Sequence, residues 1–288
     1  MKHYLNHWLT QAVLWLAITA FTSGCGHFIG SATENLGLQV KQTLLDQDDP
    51  ETVVAALPAY LILVESLANQ DASPKRLLAA AQLYGAYITL LTDDDARKNR
   101  LSNKALSLAE RGACASNDDL CSIRQLTLAE FEQKIADTRR DDLDALYALG
   151  TTWAAWIQAN KTDWNAVAQL AHVKNLMQRI LALDEHYQNG APHLYLAVLE
   201  SLVPPTLGGK PELAKQHFDR AMQMAPDNLL IPVLYARHYA RMMFDRTLHD
   251  TLLNDALARP ASVPGLTLTN TLAQRQARQL LETANQHF

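Results

Sequence analysis

Three residues, Ala214, Phe218 and Ala221, constrain the fold of this chain more than any others. They stand at i, i+4 and i+7, so on a helix they share one face. Small side chains at both ends let a second helix approach closely, and the phenylalanine between them plugs the gap. Pro226 follows. Lacking an N–H it ends the helix, and Asp227-Asn228 supply a cap for the next one. The segment 193–203 just upstream reads as the partner helix, so the chain is committed to helices packed in antiparallel pairs. The turn that joins this pair is longer than packing requires: Pro204-Pro205-Thr206-Leu207-Gly208-Gly209-Lys210-Pro211.

The same grammar recurs along the chain. No alternating Val/Thr/Tyr runs bounded by Asn-Gly turns signal strands. Asp49-Pro50-Glu51 opens a helix to Asn69, and Ser73-Pro74 opens another toward Leu91, with Ser at the N-cap and Pro at the first helical position. Asp93-Asp94-Asp95 starts a third, ending near Gly112. In the next pair Leu146, Leu149-Gly150 and Trp153 stand where tetratricopeptide repeats place W, L-G and Y, and Ala214-x3-Phe218 with Pro226 matches the second half of such a repeat. The partner of the Trp153 helix runs from Thr162-Asp163-Trp164 to Leu183-Asp184-Glu185. Residues 229–245 and 247–258 form a further pair, and 267–286 a closing amphipathic helix. The expected fold is all-α, an α-solenoid of degenerate TPR-like hairpins with capping helices, forming one domain over 33–288 around one continuous core.

The N-terminus directs the chain out of the cytoplasm. Lys2 and His3 precede an apolar run over 12–21, which ends in Thr22-Ser23-Gly24-Cys25. A short apolar run after a positive start is a secretory signal rather than a spanning helix. Its ending resembles a bacterial lipobox, with Thr22 where Leu or Val is usual. Residues 1–24 are therefore expected to be a lipoprotein signal peptide, Cys25 the lipidated residue and 25–32 a tether. Gly26, where Asp would favour inner-membrane retention, points to the periplasmic leaflet of the outer membrane. In an oxidising compartment Cys114 and Cys121 are expected to pair across a helix junction marked by the intervening Asn117-Asp118 cap.

Composition excludes several classes. A net charge of −5 with interspersed Lys, Arg, Asp and Glu offers no basic stripe for nucleic acid. No nucleophile elbow, HExxH, phosphate loop or Cys-x-x-Cys is present, so neither catalysis nor a cofactor is expected. The ten histidines are dispersed, and the acid runs at 93–95 and 141–144 lack a calcium loop's Gly and Glu; they read as helix caps, and no metal is expected. Tyr84, Tyr87, Trp153, Trp156, Tyr195, Tyr235 and Tyr239 occupy inner positions of the hairpins. They either pack the core or line an apolar ligand space on the concave side.

The stretch from Leu194-Tyr195-Leu196-Ala197 through Pro204-Pro205-x-Leu207-Gly208-Gly209-x-Pro211-Glu212 to His217-Phe218-Asp219-Arg220-Ala221 resembles the T component of TPR-associated TRAP transporters. Leu83-Tyr84-Gly85-Ala86-Tyr87, Tyr235-Ala236-Arg237 and residues 269–274 extend the likeness over most of the mature chain. The resemblance implies a periplasmic lipoprotein that is not an enzyme. It would dock a solute-binding protein of a TRAP permease, form a homotrimer, and hold a small apolar or organic-acid ligand in a pore-like cavity. On that reading the stiff loop formed by Pro204, Pro205, Leu207, Gly208 and Gly209 shapes the cavity mouth or the partner surface. Two other classes stay open, an envelope scaffold binding extended peptide segments in the solenoid groove and an undetected hydrolase.

Overall fold

The structure, a computed structural model, describes residues 39–288 apart from 72, 91–93, 204 and 208. The signal peptide, Cys25 and the tether lie outside these residues. Among the described residues every regular element is helical, which agrees with the expected class. A short helical run over 39–45 leads to α1 (Pro50–Asp71), α2 (Pro74–Leu90) and α3 (Asp95–Ser116). After two 3-10 turns come α4 (Leu128–Ala136), α5 (Leu143–Ala159), the single turn α6 (Trp164–Val167) and α7 (Leu170–Leu183). Then follow α8 (Ala191–Glu200), α9 (Pro211–Met224), α10 (Leu230–Leu234), α11 (Arg246–Ala258) and α12 (Thr267–Glu282).

Local chemistry sets these boundaries. Asp49 accepts from the Glu51 amide at 3.1 Å at the head of α1, and Asp94 accepts from the Arg97 amide at 2.8 Å at the head of α3. Thr127 and Glu130 form a reciprocal capping box on α4. Asp142 is a connector: it accepts from the Arg139 amide at 2.7 Å and from Asn117 Nδ2 at 3.0 Å. That accounts for one of the acid runs without a cation. Helix α3 runs four residues past the expected end, to Ser116, where Asn117 accepts from the Asp119 amide at 2.9 Å. Cys114 and Cys121 are bonded across this junction, their Cα atoms 4.3 Å apart.

Most elements pack on their sequence neighbours: α2 on α1 and α3, α3 on α5, α5 on α7, α7 on α8, and α8 on α9. Trp153 is fully buried, edge-on to Phe131 with ring centroids 5.9 Å apart, and its Nε1 donates to Gln169 at 2.8 Å. Gly150 is where α7 comes closest: a Cβ there would lie 2.6 Å from Met177 Cε. Ala214, Phe218 and Ala221 are fully or almost fully buried, on one face of α9.

Three features differ from the sequence reading. First, the expected single core divides into two buried clusters that meet on α8, where Leu196 belongs to one and Ala197 to the next. Second, the expected helix over 229–245 is interrupted: α10 passes into a π-helical segment, Tyr235–Ala240, and the chain reverses at Phe244, φ +56°. Widened π turns leave backbone carbonyls short of their usual partners and recur at functional positions. Third, the partner of α5 is broken into α6 and α7, because Asp163 caps the first turn and the helix restarts after it. The C-terminal end also folds back on the N-terminal end. Arg275 of α12 pairs with Glu51 of α1 (Nη2 to Oε2 3.0 Å), and the Gly265 amide donates to Asp46.

Helix α1 is long and apolar enough to cross a membrane, yet it packs on α2 and buries Val53, Leu57, Leu61 and Ala68. Its other side stays open, with Ile62 70% and Leu63 53% exposed. An uncovered apolar face of this size marks a contact surface rather than a core element.

Candidate functional site

The chain enters α8 through a strained reversal. Gln188, Asn189 and Gly190 all have left-handed backbone, φ +49°, +55° and +74°. Non-glycine residues adopt this region at a cost and persist in it only where packing over-determines them. Gly190 packs directly on the Met224 side chain, so no Cβ fits there. Pro192 then supplies the helical φ of the first turn. The Asn-Gly dipeptide at 189–190 is a turn signal that the sequence reading passed over.

Helix α8 is wedged among α7, α9 and the π segment. His193, Leu196 and Ala197 are buried, whereas Leu194, Tyr195 and Val198 are only half-buried. Tyr195 packs against the larger buried cluster and the Tyr147 ring, yet solvent still reaches it. Tyr147 of α5 packs on the same cluster and is likewise half-buried. A side chain that packs on the core and is still accessible lines a recess; a close-packed one would be closed off. The Tyr147 ring meets Tyr195 edge-on at 6.2 Å and Tyr187 at 5.4 Å. Burial, which disfavours the phenolate, pushes the Tyr195 hydroxyl up to about 12. Burial first, then the neighbouring Tyr195 and Tyr187, raises Tyr147 as well. All these phenols are therefore neutral donors at physiological pH.

On the α9 side lies a titratable relay. Arg220 Nε donates to Glu185 at 2.7 Å, His193 Nε2 lies 3.4 Å from the same carboxylate, and His193 Nδ1 meets His217 Nδ1 at 2.8 Å. The Arg220 hydrogen bond is the main reason that the Glu185 carboxyl is held at about 2. Burial lowers both histidines; Glu185 works against it at His193, and His193 further lowers His217. With Glu185 ionised, the neutral pair is arranged with His193 Nε2–H toward Glu185 and His217 Nδ1–H donating to His193. Lys174 and Glu200, 2.5 Å apart, close the other end of the groove. His217, which the sequence offered as an isolated helical histidine, is thus one member of a pair.

The aromatic set does not come together as one lining. Tyr84, Tyr87, Trp153 and Tyr235 are at most 4% exposed and belong to the core. Tyr84 donates to Glu65 at 2.6 Å, Tyr87 accepts from Arg97 at 3.0 Å, and Tyr235 stacks on Phe218 at 4.5 Å. Close packing leaves these four no open space to line. Trp156 is half-buried at the edge of the core, its Nε1 donating to Asn103 and its ring under Arg124. Tyr195 and Tyr239 remain accessible, and Tyr239 sits 5.3 Å from Tyr235 on the π segment. Beside them His238 is deep but not closed off; burial first, and then Arg237 and Arg241, bring it down to about 4. Tyr147 and Tyr187 were missed: neither carries a motif, and their neighbours lie roughly 40 residues away in sequence. In the long turn, Pro205 and Thr206 are exposed and Gly209 half-buried, next to exposed Leu202, Val203 and Leu213. Pro204, Gly208 and the Leu207 side chain fall outside the described residues.

Residues 46–288 match the family model described as TRAP transporter T-component. An uncharacterized protein of Treponema pallidum (strain Nichols) is 27% identical over 259 residues, covering 82% of this chain and 79% of that relative.

Proposed function

Because the chain belongs to the TRAP transporter T-component family, we propose that it is the periplasmic accessory subunit of a TRAP transport system, holding a small ligand in the recess beside α8. The observation that carries this reading is Tyr195, packed on the core beside Tyr147 and still accessible. In this account Cys25 bears the lipid, on the inner leaflet of the outer membrane, and the helical hairpins stack as a TPR-like solenoid. A solute-binding protein docks on the body and exchanges ligand with it. The open face of α1, with Ile62 and Leu63, is the surface on which copies of a homotrimer would meet. The role is binding and transfer, not catalysis.

The first test is co-purification of the protein with the solute-binding protein of its TRAP system. Stable association supports the role; no association at micromolar concentrations of both proteins removes it. The long turn provides a finer test. Pro205 and Pro211 stiffen it while the paired glycines allow backbone that other residues disfavour, and loops so built concentrate binding function. Replacing Gly208 and Gly209 by Val is expected to weaken binding of the solute-binding protein or the ligand by about tenfold, roughly 1.4 kcal/mol. The helical circular-dichroism signal should not change. Undiminished affinity in the folded variant would make the turn a plain spacer.

A further inference from the structure

The recess beside α8 also says what kind of ligand it accepts, an inference that rests on the reading of that recess as a ligand site. Neither the Tyr147 nor the Tyr195 hydroxyl has a hydrogen-bond partner among the described residues. Tyr187 is different: its hydroxyl donates to Asp144 Oδ1 at 2.6 Å. The set therefore presents two uncommitted donors, and the one carboxylate against it is already engaged.

No cation attends those donors. The influences on Tyr147 are burial and the other two phenols, and on Tyr195 burial alone. The cations of α7 and α9 are committed elsewhere: Lys174 to Glu200, Arg179 to Thr138, Lys215 to Asp219 and Arg220 to Glu185. A carboxylate brought here would give up its hydration without meeting a positive charge, and two neutral phenols replace only part of what it loses. A carbonyl or ester oxygen has much less hydration to lose, and two O–H donors saturate its lone pairs. Leu199, half-buried on the same helix and packed on the same cluster as Tyr147 and Tyr195, offers the apolar remainder of the wall.

We propose that this site takes an uncharged, mainly apolar molecule bearing one acceptor oxygen of the carbonyl or ester class, gripped by Tyr147 and Tyr195, and that it discriminates against free carboxylates. Of the apolar and organic-acid ligands that the family likeness suggests, the geometry selects the first.

The experiment is calorimetric titration of the full-length protein with methyl octanoate and with octanoate at pH 7.5. The ester is expected to bind at least tenfold more tightly. In the Tyr147→Phe/Tyr195→Phe double variant, which keeps both rings and their packing, ester affinity should fall about tenfold, the loss expected for two neutral hydrogen bonds. A thermal melt verifies that the variant is folded. Octanoate binding as tightly as the ester overturns the proposal while leaving the ligand site standing. So does an ester affinity that the double variant leaves unchanged. If neither probe binds the unmodified protein, the ligand-site reading falls, and the proposal with it.

Discussion

Replacing Trp153 by alanine is expected to destabilise the fold by about 3–5 kcal/mol, the range for removing a large buried aromatic and leaving a cavity behind. The indole is fully buried between α5, α4 and α7, edge-on to Phe131 and 5.2 Å from His172. Its loss also strips Gln169 Oε1 of a donor at 2.8 Å. The site has little freedom to collapse, because Gly150, one turn back on α5, is already in contact with Met177 of α7. Urea unfolding followed by circular dichroism measures the change, and a Trp153→Phe variant should recover about half of it. A loss below about 1 kcal/mol would mean that α5 and α7 close the gap, and that the pair is held by other contacts.

Acidification should destabilise the protein in two steps, the first arising from histidines. His238 is brought down to about 4 by burial and by Arg237 and Arg241, against about 6.5 in an unfolded chain. Above pH 6.5 it is neutral in both states and contributes no pH dependence. Below that, the unfolded chain takes up a proton that the folded ring refuses, so stability falls from pH 6.5 down to about 4 and then levels off. At pH 5 the loss from His238 is at most about 2 kcal/mol, because the half-buried ring keeps some hydration. His193, lowered chiefly by burial, and His217, lowered by burial and then by His193, act in the same direction. The second step belongs to carboxylates. Glu185, held at about 2 chiefly by Arg220, contributes stability above its unfolded value that disappears as pH falls from about 4.5 toward 2. Urea midpoints at pH 7.5, 6 and 5 measure the first step, and His238→Asn should flatten it. Equal midpoints at pH 7.5 and 5 would show that these rings protonate freely in the folded protein.

Much of the architecture follows from local spacing. Ala214, Phe218 and Ala221 declare a close helix pair because helical periodicity alone brings them onto one face, and the structure buries all three. The Gly150–Trp153 pair works for the same reason, small residue against facing helix and large residue across the gap. Asp49, Asp94 and Asp163 mark helix starts through short-range capping that needs no tertiary partner. Cys114 and Cys121 lie close enough in sequence for a helix end to bring them together.

The candidate site was less legible, because its parts are assembled across the chain. Tyr147 and Tyr195 meet only once α5, α7 and α8 are packed, and Asp144 reaches Tyr187 the same way. Of the aromatics at inner positions, periodicity could not say which would be sealed, as Tyr84, Tyr87, Trp153 and Tyr235 are, and which would stay open, as Tyr195 does. That difference depends on the shape of the neighbouring helix surface, and no residue carries it alone. His217 became one of a pair only when α9 lay against α8.

Taken by itself, then, the amino-acid sequence determined the helical class, most element boundaries, the close pairing of α8 with α9 and the likeness to the T-component family. All of these rest on interactions within a few residues or on a motif read in line. The division of the core at α8, the π segment after α10, the open apolar side of α1 and the meeting of the unpartnered Tyr147 and Tyr195 phenols were decided by the tertiary structure. They depend on which surfaces remain uncovered after packing, a property of the assembled helices that local spacing does not encode.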